Sequence, residues 1–297
     1  MDLIVANYNN GRFLPQLIES ILKQTDQDWE LYIVDDCSSD NSLDFLAPYS
    51  EVQGLNLIQL KNNGGATNAF KVGIEAGTSD LIGLIGADDA LTADAIEQMK
   101  LAFQNDSETV LAYSECMDCD ESLNPIQKRK HAKALKPDIP VFEQLYSIFN
   151  FIVISRRAYN QTIGLDSALR RAMDHDLMLK MDEVGRFTFV PQVLYHYRTH
   201  DGGISQGNNW MLAELYSLLA RIKAYERRSL KPVSQQKFKR LMLQYHRRSL
   251  YLQASINGES LFHHMKSALI IQPTAVFQRG FLRDCLKAIH PNQQGND

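Results

Sequence analysis

Apolar-rich segments of strand length and apolar stripes of helical spacing alternate along the first third of the chain. Leu3-Ile4-Val5-Ala6, Trp29 to Val34, Leu55 to Leu60 and Leu81 to Ile85 read as strands covered on both faces. From Phe13 to Leu22 the apolar positions 14, 17, 18, 21 and 22 mark one face of a helix. Asn41 to Tyr49 predicts a short helix, and Thr67 to Ala76 a longer one that Gly77 stops. This alternation, continued through residue 105, predicts an α/β fold with a mostly parallel sheet, helices on both faces and a right-handed first crossover.

The pattern is less regular beyond that point. Thr109 to Glu115, Phe151 to Ser155, Phe187 to Pro191 and Val193 to Arg198 predict strands, and Asp174 to Met181 a helix. Leu123 to Pro140, with Lys128-Arg129-Lys130-His131 and two prolines, reads as a mobile polar connection near a mouth. From Trp210 onward the stretches 212–227, 235–257 and 260–269 are helical. A boundary near Gly207 divides the chain into an α/β domain, 1–206, and a C-terminal helical region, 207–297.

Composition narrows the class. With 44% hydrophobic and 22% charged residues over 297 positions the chain buries a real core and is globular. A net charge of −4 gives no general attraction to nucleic acid. Four cysteines make no disulfide scaffold, and nothing near Met1 resembles a secretion signal, so a cytosolic setting is expected. Cys116-Met117-Asp118-Cys119 has metal or redox spacing but lacks the second pair a zinc site needs, and is assigned to structure. No apolar run approaches the length that spans a bilayer.

Two strands end in paired acids, Asp35-Asp36 and Asp88-Asp89, where an open parallel sheet places its ligands. Either pair alone could be solvated turn acids capping the next helix. Together they mark a site, because buried carboxylates are costly unless paired or bound to metal. Asn63-Gly64-Gly65 is a turn whose glycines let backbone approach a ligand, and it is neither a dinucleotide fingerprint nor a Walker loop. Tyr113 and Tyr146 are assigned to the core in preference to a sugar platform.

Val5-Ala6-Asn7-Tyr8-Asn9, Gln24-Thr25 with Trp29-Glu30, Ile33-Val34-Asp35-Asp36-Cys37-Ser38, Asn63-Gly64 and Ala87-Asp88-Asp89, in this order and spacing, resemble family 2 glycosyltransferases of the GT-A fold. Met173 to Lys180 and Val193 to His200 resemble the acceptor-side motifs of the same family. The resemblance covers residues 3 to about 205 and implies a Rossmann-like GT-A domain, followed here by a C-terminal helical extension. It implies that Ala6, Asn7, Tyr8 and Asn9 line a nucleotide pocket, that Asp36 hydrogen-bonds the base, and that Asn63, Gly64, Asp88 and Arg198 also contact the donor. Asp88, Asp89 and His200 would hold Mn²⁺ or Mg²⁺, and Asp174 would be the catalytic base. Asp176 stays open as an alternative base, or as a helix acid one turn before Lys180.

Gly86 stands where many members carry a further acid, Met173 where an acid often precedes the base, and Phe70-Lys71 where Arg-Asn is common. The implied activity is inverting transfer of a sugar from a nucleotide-diphosphate donor, a UDP-sugar foremost, to a saccharide or lipid-linked acceptor in envelope polysaccharide or glycan synthesis. Two rivals stay open: a nucleotide-sugar-binding module that has lost catalysis, and a sugar-phosphate nucleotidyltransferase. The helical tail carries Arg227-Arg228, Lys237, Lys239-Arg240, Arg247-Arg248, Lys266, Arg279, Arg283 and Lys287. Those charges are read as a solvated face, with peripheral contact to the inner face of a membrane and homo-oligomerisation as open alternatives.

Overall fold

The early apolar segments become the strands they predict. The structure, a computed structural model, describes residues 1–149, 151–202, 210–228, 232–252, 260–273 and 280–281. β1 (Asp2–Asn7), β2 (Glu30–Asp35), β3 (Leu55–Gln59) and β4 (Leu81–Gly86) pair in parallel in the order β3-β2-β1-β4. Asn7 lies opposite Asp35, and Ala6 opposite Gly86, so the ends of β1, β2 and β4 open at one edge of the sheet. α1 (Leu14–Leu22) starts with Pro15 in its first turn and buries Leu14, Leu17, Ile18 and Ile21 completely. α2 (Ser42–Leu46) is short, and α3 (Ala66–Ala76) packs on β1 and β2. Gly73 permits that approach, since a Cβ there would lie 2.4 Å from Ile4 Cγ2.

After β4 the sheet becomes mixed. The next elements are β5 (Ala90–Leu91), α4 (Ala95–Asn105), β6 (Thr109–Cys119), β7 (Pro125–Lys128), α5 (Val141–Gln144), β8 (Ile152–Ser155), α6 (Arg156–Tyr159), α7 (Met173–Met181) and β9 (Arg186–Arg198). The full order is β3-β2-β1-β4-β8-β6-β9-β5, with β7 beside β6. β8 runs antiparallel to both β4 and β6, whereas β6 and β9 are parallel. β9 is one strand, not two: Pro191 cannot donate to a ladder, and a bulge where Ser114 faces Val190 and Glu115 faces Val193 absorbs it. β7 lies in the stretch expected to be an irregular connection, and its four residues are exposed, so no apolar pattern marks it. Cys116 and Cys119 are buried, unbridged thiols on β6, as their structural assignment requires.

At the opposite end of β1, Asp2 is 1% exposed. It accepts hydrogen bonds from Ser79 and pairs with Arg156 at 2.6 Å, tying β1, the entry to β4 and α6 together.

The chain forms two compact units, Met1–Gln206 and Gly207–Asp297. The second contains α8 (Trp210–Arg227), α9 (Pro232–Leu252) and α10 (Leu261–Ile271). Leu215 and Ala220 of α8, Tyr245 and Leu250 of α9 and Ala268 of α10 are among its buried residues. Ser260 caps α10 by accepting from the His263 N–H. Gly207, the end of the expected 235–257 helix, and Arg279, Arg283 and Lys287 lie outside the described residues.

Candidate active site

The ends of β1 and β2 are built around carboxylates that hold loops. Asn7 is fully buried, and its amide donates to Asp35 Oδ1 at 2.7 Å and to Ser38 Oγ at 3.2 Å. Asp35 also accepts from the Ser38 N–H and hydroxyl. Asp36, 2% exposed, accepts from the Gly64 N–H on one oxygen at 2.8 Å and from the Gly65 N–H on the other at 2.7 Å. The acid expected to read a base therefore also fixes the glycine turn at the start of α3. Asn9, with a positive φ of 54°, accepts from the N–H groups of Ser39 and Asp40. Of the expected nucleotide-lining residues, Ala6 lines the cleft described below, Asn7 is an internal tie, and Tyr8, Asn9, Asn63 and Gly64 are exposed.

At the end of β4 the two neighbouring acids face different surroundings. Asp89 is 3% exposed, accepting from the Tyr195 hydroxyl at 2.5 Å and from the Arg198 N–H at 2.8 Å. Burial, and then the Asp88 charge, push its carboxyl well above the usual range. Tyr195 in turn accepts from the Gly86 N–H, so Gly86, Asp89 and β9 form one clasp. A Cβ at Gly86 would come within 2.5 Å of Asp89 and 2.9 Å of Asp88, which leaves no room for a further acid without rearrangement. Asp88 is 23% exposed at its side chain, and its Oδ2 lies 2.8 Å from His200 Nε2.

Arg198 is placed differently from the expectation that it contacts the donor. It is 1% exposed, and its guanidinium donates to the carbonyls of Asp88 and Glu121 and to Gln16 Oε1, above the Phe13 ring. Those bonds hold the Asp88 loop, so Arg198 positions a candidate ligand.

A cleft of about 210 Å³ is lined by Ala6, Gly86, Asp88, Asp89, Arg170, Arg171 and Asp174, among others. It brings Asp88 and Asp174, which are far apart in sequence, to one surface. Thr67 at the start of α3 donates to the Leu169 carbonyl at 2.5 Å and so ties the segment preceding α7 to the cleft. Ala172, the residue before α7, has the left-handed φ of 53°, an unusual backbone for alanine and one that turns the chain into the helix carrying Asp174. Asp176 is 1% exposed and pairs at 2.5 Å with Lys180, itself 2% exposed. That pair fits the reading of Asp176 as a helix acid one turn before Lys180.

Sequence reasoning passed over Arg170 and Arg171, although adjacent arginines just before an acidic helix start were a visible signal. Tyr146 is a correction of another kind. It is 46% exposed and meets the His175 ring edge-on at 5.2 Å, whereas Tyr113, 1% exposed, is core as expected.

Asp88 and His200 suit a divalent ion. Two ligands at about 2.1 Å from an octahedral ion sit about 3 Å apart, close to their 2.8 Å separation. Among the described residues no group of three acids, histidines or cysteines could enclose an ion by itself, so phosphate oxygens and water would complete the shell.

Comparison with known proteins identifies the family and the fold. The family described as Glycosyl transferase family 2 matches residues 2–171, more than half of the chain. Chondroitin synthase of Escherichia coli is 28% identical over 206 residues, covering 67% of this chain and 29% of that protein. The O-antigen biosynthesis protein RfbC of Myxococcus xanthus is 29% identical over 191 residues, covering 63% and 15%. The chain thus spans less than a third of the length of these two relatives. Among solved structures, S. aureus TarS in complex with UDP-GlcNAc superposes with a TM-score of 0.65 at 14% identity, over 94% of this chain and 91% of that one. The mannosyltransferase PcManGT of Pyrobaculum calidifontis, in complex with GDP-Man and Mn²⁺, gives 0.58 at 14% over 98% and 87%. The sheet, with its acids at the strand ends, is a GT-A fold, and the chain belongs to glycosyltransferase family 2.

Proposed function

We propose that the chain transfers a sugar, with inversion, from a nucleotide-diphosphate donor to a saccharide hydroxyl, and that the donor is a UDP-sugar. The observation that carries this reading is the shared cleft, where Asp174 faces the same space as Asp88 and the Arg170-Arg171 pair. Asp174 accepts the proton of the acceptor hydroxyl as that oxygen attacks the anomeric carbon. Arg170 and Arg171 stand where they offset negative charge on the departing diphosphate. Asp88 and His200 would hold Mn²⁺ or Mg²⁺, and the ion when bound offsets charge on the same group. Asp89 and Arg198 keep Asp88 in place. UDP-GlcNAc in TarS and the polysaccharide names of the relatives support a UDP donor and a role in bacterial polysaccharide synthesis. A chain that had lost catalysis would have no need of an acid at position 174.

The test is a screen of UDP-, GDP- and dTDP-sugars for Mn²⁺-dependent binding and turnover by the wild type and two variants. UDP binding is expected, with release of free UDP and not pyrophosphate. Asp174→Asn should keep donor affinity and lose at least a hundredfold in transfer, while Asp176→Asn, which breaks a buried pair, should lose stability. Release of pyrophosphate, or full transfer by Asp174→Asn, would overturn the reading.

A further inference from the structure

His200 presents Nε2 to Asp88 in only one orientation of its ring. Rotation about the bond to an imidazole is broad and roughly two-fold, and a half-turn would put Cε1 where Nε2 stands. What fixes the ring is therefore part of the site. One neighbour is Phe13, 5% exposed, whose ring centroid lies 4.8 Å from that of the imidazole at an interplanar angle of 54°. Another is Gly202, where a Cβ would lie 3.3 Å from both Cε1 and Nδ1.

A buried phenylalanine is ordinarily core. The ring of Phe13 also packs against charged groups: the guanidinium carbons of Arg12 and Arg198 each lie 4.5 Å from its centroid. Its backbone is anchored in a different part of the fold from β9, which leads to His200. Residues Gly11–Phe13 form one tight turn between β1 and α1, in which the Phe13 N–H donates to the Asn10 carbonyl at 3.0 Å. The Gly11 N–H donates to Asp40 at 3.0 Å, and a Cβ on Gly11 would lie 2.5 Å from Ser42 Cα, so the turn is seated tightly against the start of α2. Leu14, the next residue, is fully buried.

We propose that Phe13 is a positioning residue of the metal site, its ring holding the His200 imidazole with Nε2 at Asp88, so that the entry to α1 sets the affinity for the ion. Removing a group that orients a metal ligand commonly costs about 10–100-fold in metal affinity. The inference rests on the assignment of Asp88 and His200 to Mn²⁺ or Mg²⁺ above.

The test is calorimetric titration of UDP into the full chain, without metal and at a series of Mn²⁺ concentrations, read as the enhancement of UDP affinity by the ion. Phe13→Leu should lower that enhancement about tenfold and leave metal-free UDP affinity unchanged. Phe13→Tyr, which keeps the ring, should stay within about twofold of the wild type. Introduced into His200→Ala, Phe13→Leu should have no further effect on the enhancement, because it acts through the imidazole. Gly202→Ala, at an exposed position, presses a methyl on the same ring and should also weaken the enhancement, which keeps the test open if Phe13→Leu does not fold. Wild-type enhancement in Phe13→Leu or in Gly202→Ala, or an equal loss from Phe13→Leu with and without His200, would overturn the positioning role. No enhancement by Mn²⁺ in the wild type, or full enhancement in His200→Ala, would instead overturn the metal assignment and the inference with it.

Discussion

Asp88 and Asp89 are neighbours in different surroundings, and substitution should separate them by what each touches. Asp89 answers two buried donors, the Tyr195 hydroxyl and the Arg198 N–H, so Asp89→Ala leaves both without an acceptor. At about 1–3 kcal/mol for each unsatisfied buried group, the variant should lose roughly 2–6 kcal/mol of stability. Asp88 is partly exposed and touches His200, so Asp88→Ala should unfold within a few degrees of the wild type yet lose Mn²⁺-dependent UDP binding at least tenfold. Thermal unfolding together with UDP titration, with and without Mn²⁺, separates the two. Equal stability of both variants would mean that the Asp89 clasp is not structural. A sequence reading treats the pair as interchangeable because its signal, two acids after a strand, contains nothing about Tyr195 or Arg198 more than a hundred residues later. The same distance explains the assignment of Arg198 to the donor: its motif was visible, its partners were not.

At the scale of elements, β1 to β4 and their helices were legible because each strand is buried and each helix carries one apolar face, so local pattern and tertiary role coincide. The β4-β8-β6-β9 order was not, since an apolar run does not say which strand it joins or in which direction. α9 and α10 carry a further feature with a measurable consequence. His246 on α9 and His264 on α10, 1% and 0% exposed, bring their Nδ1 atoms to 2.9 Å. The rings of Tyr245 and His263 pack edge-on against His246. Burial first, and then the neighbouring His264 and His263, hold the His246 pKa down from 6.5 to about 4. Between these values the unfolded chain binds a proton that the folded one does not, so stability falls as pH drops from 6.5 toward 4, by up to about 3 kcal/mol. Hydrogen exchange in peptides of α10, corrected for the intrinsic rate, should show weaker protection at pH 5 than at pH 7 in the wild type. His246→Leu should remove most of that difference. Equal protection at both pH values in the wild type would refute the buried neutral histidine.

On the whole molecule, net charge and local charge diverge. The chain carries −4 overall, yet Lys237, Lys239 and Arg240 are exposed together on α9. An amphipathic helix that enters a membrane needs an outward apolar face, and Leu241, Tyr245 and Leu250 of α9 are buried in the protein. No helix among the described residues is long and apolar enough to cross a bilayer. What α9 offers a membrane is therefore charge, at about 1 kcal/mol for each basic residue near an anionic surface, an attraction that salt screens. Three such residues give weak, reversible adhesion, which becomes useful only if the acceptor is held on a lipid and transfer occurs at that surface. The expected outcome in flotation is binding of the full chain to phosphatidylserine-rich vesicles at 50 mM salt, release at 500 mM, and no binding to neutral vesicles. Replacing Lys237, Lys239 and Arg240 by glutamate should abolish the low-salt binding without altering UDP affinity, because the proposed donor residues belong to the first unit and these charges to the second. Binding that survives high salt would require an apolar contact in addition to these charges. Binding that survives the charge reversal would move the attraction to another surface, and no binding at low salt would exclude the adhesion altogether.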